Sequence, residues 1–421
     1  MAIRKRLVIN FTGYEGLRPN AVRDRYLNSA ADFDQLWHAT TSSTPMAPAG
    51  GDIAAMTLTT TGADWETETE FVQFGTAGIF EDYAARSVPT RFASGLSAFL
   101  DIILSGTFYR YWRTSWRFCL FFLWPFALAC FLVSFLVAAG LAPLFLESNP
   151  WHLAWTIPTA AIICRILIRW PGDRLFFSYL LDDWAAASDR IHGRSALQRA
   201  AKLRFAEMFA EKLRASEAEE IVVVAHSLGT VPAVEAMADL WRSNPELMRK
   251  KPISLVAAGS CLLMIALHPR AGMLREDVRL LLEESPLLWT EFQAVTDIIH
   301  FYRSDPASSL GIRPKQAPII KRIGFKNIHR PARYGRAKNN FFKMHLLFLK
   351  GAQIRNEYDM GMFVQGPIPF RELVTTYAGE PAPLDELGRL APARADNVRV
   401  RPSRADFPGP PMSASSLPAR A

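Results

Sequence analysis

Cysteine is scarce in this chain. Four occur in 421 residues, Cys119, Cys130, Cys164 and Cys261. Three of them fall inside strongly apolar segments, and none shows metal-ligand spacing. A disulfide framework and a cysteine–zinc site are therefore excluded, and no metal or cofactor is expected. There is no internal repeat. The N-terminus has a basic start but only a short apolar run and no small-residue cleavage site, so it reads as a strand and not as a signal peptide. No nucleic-acid recognition motif is present, and basic charge alone specifies no such partner.

Charge is missing from two stretches. Phe118 to Leu146 is 29 residues long and uncharged, which exceeds what a helix of about 1.5 Å rise per residue needs to cross a hydrocarbon core of roughly 30 Å. After Glu147-Ser148-Asn149-Pro150, a second uncharged run extends from Trp151 to Cys164. It is short for a span, and a re-entrant loop is the alternative. Tyr109, Tyr111, Trp112 and Trp116 mark one end of the pair, Trp151 and Trp155 its tip. Arg110, Arg113 and Arg117 precede the first run, and Arg165, Arg169 and Arg174 close the second. The positive-inside rule then puts both chain ends in the cytoplasm.

Acid is missing from a third stretch. Between Pro306 and Asn356 there are 12 Lys or Arg and no Asp or Glu; the net charge is +8 overall, so the remainder is net −4. Beside a membrane such a surface is expected to attract anionic lipid head groups.

What is present is apolar residues, half of the chain, enough for a full-size core. The most informative run is Ile221-Val222-Val223-Val224-Ala225-His226-Ser227-Leu228-Gly229-Thr230. Four β-branched residues enter a small-x-Ser-x-Gly pentapeptide, and a helix-compatible segment follows. This is the pattern of a nucleophile elbow, with Ser227 Oγ above the sheet edge and the Leu228 N–H as an oxyanion donor. His226 is a filler of the turn.

Strands are expected at Arg6–Phe11, Asp52–Thr60, Ile221–Ala225, Pro252–Ala258, Val295–Tyr302 and, more weakly, Ile319–Ile328. Helices are expected at Asp24–His38, Asp173–Arg190, Ser195–Ala215, Asp277–Glu284 and Phe341–Lys350. The region between the second strand and the hairpin reads as aromatic and loop-like. The alternation implies an α/β fold with a mostly parallel sheet covered by helices.

A serine nucleophile needs a base, and the base an orienting carboxylate, in the chain order Ser, acid, His. Asp305 follows the expected strand Val295–Tyr302, at the end where such sheets place their sites. Asp297 is the alternative, but falls within that strand. His345 is the expected base and His329 its rival; His300 and His268 do not fit the order. The second oxyanion donor needs a loop after an early strand, and Thr12-Gly13-Tyr14-Glu15 is the candidate, with Gly13 and Tyr14 at its centre.

The elbow resembles that of α/β-hydrolases, especially lipases and esterases. Phe11-Thr12-Gly13-Tyr14-Glu15, Leu181-Asp182-Asp183-Trp184, Trp289…Phe301-Tyr302…Asp305-Pro306 and Phe342-Lys343-Met344-His345 look like a group of membrane-inserted bacterial α/β-hydrolase proteins of undefined substrate. The likeness spans Arg4 to Gly366. It implies an α/β-hydrolase-type sheet, serine hydrolase activity and a triad of Ser227, Asp305 and His345. Ala225 stands where the commoner elbow has glycine. The expected organisation is one α/β-hydrolase domain in two parts, 1–107 and 175–370. A transmembrane hairpin occupies 108–174, with helices at about 118–141 and 151–169, and 379–421 is a disordered tail. The expected activity is cleavage of an ester of a lipid or other amphiphile at the inner membrane of a bacterium. A catalytically inactive interaction module of the same fold is the alternative.

Overall fold

The computed structural model describes residues 2–391, apart from 147–148 and 252. Nine strands form one sheet: β1 (Lys5–Phe11), β2 (Thr40–Ser43), β3 (Ala47–Gly50), β4 (Ile53–Thr61), β5 (Glu66–Phe74), β6 (Glu220–His226), β7 (Ile253–Ala258), β8 (Leu288–Ala294) and β9 (Ile319–Ile323). The order is β2-β4-β5-β1-β6-β7-β8-β9, with β3 also paired to β4. From β5 to β9 every pairing is parallel, and the strands from β2 to β4 add an antiparallel edge. The fold is therefore a mostly parallel sheet covered by helices, as the strand–helix alternation implied.

Both faces are covered because the central strands are apolar on both. All seven residues of β6 are buried. Alternate residues point to opposite faces: Ile221, Val223 and Ala225 enter one core, Val222 and Val224 the other. The second core continues through Phe292, Phe348 and Phe363. At the strand starts, buried Arg6 pairs with Glu220 at 2.9 Å and donates to the carbonyls of Gly366 and Ile368. This ties β1 and β6 to the C-terminal part of the domain.

The region expected to be loop-like is largely regular. It holds β5 and helices at Ala77–Ala84, Val88–Leu104 and Thr107–Thr114, the last two bent by 73° at their junction. Two further helical segments, Trp116–Gly140 and Pro150–Leu175, are long and apolar enough to cross a membrane. They pack as an antiparallel pair: Thr156 Oγ1 donates to Gly140 O at 2.7 Å and Cys164 Sγ to Leu132 O at 3.5 Å. The foot of the first is built into the globular core. Phe118 stacks on Phe301 with centroids 4.0 Å apart, and Phe122 meets Trp184 edge-on at 4.7 Å. Further along, Phe131, Val133 and Val137 are exposed.

Part of the expected tail is packed on the folded domain. Leu384 is buried and pairs with Leu390, and Trp65 Nε1 donates to Gly388 O at 2.9 Å. Residues 392–421 of the expected tail lie outside the described residues.

Candidate functional site

β6 ends at His226 and the chain turns at once. Ser227 takes φ +56°, a region that non-glycine residues seldom enter. Ser227–Gly229 makes one tight turn leading into the helix Thr230–Ser243. The turn needs glycine at its end: a Cβ on Gly229 would stand 2.4 Å from the Phe11 carbonyl oxygen.

Phe11 and Ala225 are register partners, so the loop after β1 meets the turn after β6. A Cβ on Gly13 would lie 3.1 Å from Ser227 Cβ. The loop is held rigidly. Thr76 Oγ1 donates to Gly13 O at 2.6 Å, the Tyr179 hydroxyl donates to Tyr14 O, and Arg25 clamps Glu15 at 2.7 and 2.8 Å. Gly13, Tyr14 and Leu228 together line a small cavity of about 60 Å³ whose walls include Ile79, Phe205 and Ile265.

His345 ends the helix Phe341–His345. Its Nδ1 lies 2.7 Å from Asp297 Oδ2. Its ring centroid is 4.4 Å from that of His226, the residue before Ser227, and His226 Nε2 donates to His345 O at 3.3 Å. Both His345 and Asp297 are buried. Burial alone would raise the Asp297 carboxyl, but the imidazoles of His345 and His300 outweigh it and hold the group well below the usual carboxylate range. Anionic Asp297 can only accept, so His345 Nδ1 carries the shared proton and Nε2 is the ring nitrogen left free of the carboxylate. That nitrogen is buried and has no hydrogen-bond partner.

The geometry brings the alternative acid, Asp297, to His345 in place of the expected one. Asp305 is not the carboxylate at His345. It caps the short helix Pro306–Ser309, accepting from Ala307 N at 3.0 Å and Ser308 N at 3.2 Å. The reason is a displaced strand. The strand is β8, Leu288–Ala294, and Val295–Tyr302 is the loop beyond it. The first carboxylate past the carboxyl end of the strand, after Val295 and Thr296, is therefore Asp297. Ile299 and Phe301 of that loop are apolar because they pack into the core beside the first membrane helix.

The rival histidine, His329, sits elsewhere. Its Nε2 donates to Leu347 O at 3.3 Å, and burial, reinforced by Arg333, lowers its pKa to about 4. Two neighbours of the site carried no sequence signal. Cys261 Sγ is 3.5 Å from Ser227 Oγ, and burial holds this thiol protonated. His300 Nδ1 lies 3.1 Å from Asp297 Oδ2, outside hydrogen-bonding geometry. In Leu181-Asp182-Asp183-Trp184 the roles divide. Asp182 takes a bidentate pair from Arg91 at 2.9 and 2.6 Å. Asp183 is pushed up to about 8 by burial and Asp182, and Trp184 fills the core.

One other group has metal-ligand chemistry among the described residues: Asp101, His192 and His268, with ligand atoms within 4.8 Å of one another. Arg270 decides what it is. Its Nη1 lies 3.2 Å from His192 Nδ1, and its backbone N donates to His268 Nδ1 at 3.2 Å. Arginine can only donate, so each Nδ1 accepts and each Nε2 carries a proton. Those nitrogens face Asp101 Oδ2 at 2.8 and 3.5 Å. A metal between Asp101 and these two nitrogens would need both Nε2 lone pairs, with each Nδ1 as the donor, the opposite arrangement. Comparison with known proteins finds no matching family model, no matching curated protein and no matching solved structure.

Proposed function

We propose that the chain is a membrane-anchored serine hydrolase of the α/β-hydrolase kind, acting on an ester of a lipid or other amphiphile. One observation carries this reading: a serine held at φ +56° just past the central strand, whose preceding residue, His226, packs on the ring of a buried Asp297–His345 pair with Nε2 unused. Strain of this kind persists only where the surrounding structure imposes it, and it clusters at working sites.

In the proposed mechanism His345 Nε2 takes the Ser227 Oγ proton as Oγ attacks the ester carbonyl. Asp297 orients the imidazole and stabilises the imidazolium. The N–H groups of Leu228 and of the Gly13–Tyr14 loop receive the oxyanion. Collapse returns the proton from His345 to the leaving alcohol, and water then hydrolyses the acyl-serine by the same route. Cys261, a neutral thiol, takes no part as a nucleophile.

The substrate class rests on where the flanking residues pack. Phe301, in the Asp297 loop, stacks on Phe118. Phe341, ahead of His345, meets Phe121 and Phe176, at the feet of both membrane-length segments. The proposed site thus faces the bilayer, with its globular domain on the cytoplasmic side by the arginine asymmetry. The basic stretch from Pro306 to Asn356 would touch anionic head groups.

The test is fluorophosphonate labelling of the purified full chain. Wild type should take up label and Ser227→Ala should not. No label on wild type, or equal label on the variant, sinks the proposal and returns the chain to a non-catalytic membrane module.

A further inference from the structure

An open cleft of about 1180 Å³ lies at the foot of the first membrane-length helix, and neither Ser227 nor His345 lines it. Three separate segments bring five arginines to its walls: Arg110, Arg113 and Arg117 from before and within the start of that helix, Arg275, and Arg303. The one carboxylate there is Asp305, and both its oxygens already accept backbone N–H bonds. Among the described residues none of the five arginines forms an ion pair. Arg110 and Arg275 donate to backbone carbonyls, while Arg117 and Arg303 flank the Tyr302 ring at 5.5 and 5.8 Å.

This crowding is imposed. Arg303 is held at φ +65°, and the buried amide of Gln293 pins both sides of it, accepting from Arg303 N at 2.8 Å and donating to Ser304 O at 2.7 Å. Burial and the charge of Arg110 both disfavour the Arg275 cation. Five guanidiniums around one carboxylate leave an excess of positive charge, which an anion would offset.

A second feature points into the same place. The helix Trp116–Gly140 begins at Ser115 with no side-chain cap bond. Ser115 is 6% exposed, its hydroxyl has no partner, and it lines the cleft. The N-terminus of a 25-residue helix offers free N–H groups and the positive end of its dipole to an anion.

The rim identifies the occupant. Trp112 and Trp116 are 55% and 56% exposed there, at the boundary where the uncharged helix starts, and tryptophan at that boundary marks head-group level. Leu120, Leu123 and Trp124 lie exposed just above. We propose that this cleft binds the phosphate of a bilayer phospholipid, held by the five guanidiniums and the Ser115 end of the helix, with its acyl chains along Trp116–Gly140. Its five arginines lie outside the Pro306–Asn356 stretch, of which Ser308, Ser309 and Leu310 line the cleft, and the site stands whether or not Ser227 turns over.

The test uses the purified full chain in a non-ionic detergent, titrated with dioctanoyl-phosphatidylglycerol and read by tryptophan fluorescence and native mass spectrometry. Saturable one-to-one binding is expected, weakening with salt. Arg113→Gln combined with Arg303→Asn, which spares the arginines bonded to backbone, should raise Kd about tenfold or more. The double lysine variant should recover part of the loss, and fluorophosphonate labelling should be unchanged in both. Dioctanoylglycerol, without phosphate, should not compete. Equal affinity for dioctanoylglycerol, or an unchanged Kd in a folded Gln/Asn variant, overturns the proposal. Inorganic phosphate binding as tightly as the lipid overturns the assignment to a bilayer source. If the Gln/Asn variant does not fold, the wild-type comparison of the two lipids and phosphate decides alone.

Discussion

Two places in this molecule hold an aspartate between two histidines. In one, Asp297 Oδ2 lies 2.7 Å from His345 Nδ1 and 3.1 Å from His300 Nδ1. In the other, Asp101 Oδ2 lies 2.8 Å from His192 Nε2 and 3.5 Å from His268 Nε2. Residue types and distances are nearly the same. What differs is which ring nitrogen faces the carboxylate and what the other one meets. At the second cluster Arg270 donates toward both remaining nitrogens, so neither ring has a lone pair left to take a proton. At the first, His345 turns Nδ1 to the carboxylate and keeps Nε2 unbonded, with its ring packed on His226, the residue before Ser227. A side-chain inventory cannot separate a proton acceptor from a structural network; the tautomer can.

The largest effect should come from treating the two carboxylates alike. Asp297→Asn should lower the rate of fluorophosphonate labelling and of p-nitrophenyl butyrate hydrolysis by about 10³- to 10⁴-fold, because the imidazole loses its orientation and tautomer. Asp101→Asn should leave the same rates, per folded molecule, within about threefold. A comparable loss from both would erase the contrast.

A smaller effect concerns a histidine outside both clusters. His329 is neutral in the fold, with a pKa lowered to about 4, whereas the unfolded chain protonates it near 6.5. The unfolded state thus binds more protons between these values, and stability should rise with pH from about 4 to 6.5, by an order of ~3 kcal/mol. His329→Gln should flatten that limb of a denaturant-unfolding profile while labelling persists. If labelling vanished instead, His329 would displace His345 as the base.

The smallest effect should be that of Asp305→Asn. Asparagine still caps a helix, so a loss of about 1 kcal/mol or less is expected in thermal unfolding, with esterase activity near wild type. A loss matching that of Asp297→Asn would restore Asp305 to the catalytic role its sequence position suggested.

Asp305 also shows how far the chain could be read. β6 was legible because β-branched residues flow into a small-x-Ser-x-Gly turn, and β1 and β7 because short apolar runs stand between turn signals. β5 and β8 were not. In β5, Thr67 and Thr69 occupy buried positions that an apolar pattern assigns to hydrophobic residues. In β8, Thr290, Glu291 and Gln293 are all buried. Glu291 meets Trp289 Nε1 at 2.9 Å and is pushed up to about 8 by burial, and Gln293 pins the Arg303 turn. The strand thus looked polar, and the loop after it looked like a strand because Ile299 and Phe301 serve the membrane-helix foot. One displaced strand put the carboxylate that meets His345 eight positions before the expected one.

The sequence by itself determined the elements whose signal is local. The uncharged run from Phe118 to Leu146 needs no neighbour to be long enough for a membrane, and the elbow's small residues and β-branched strand state the backbone they require. The tertiary structure alone decided the pairings. Which carboxylate meets His345, which histidine keeps a free nitrogen, and which distant arginines share a cleft with Ser115 all depend on contacts between segments far apart in the chain. No local propensity encodes those, because burial and hydrogen bonding reward a side chain only for the partner the fold brings to it.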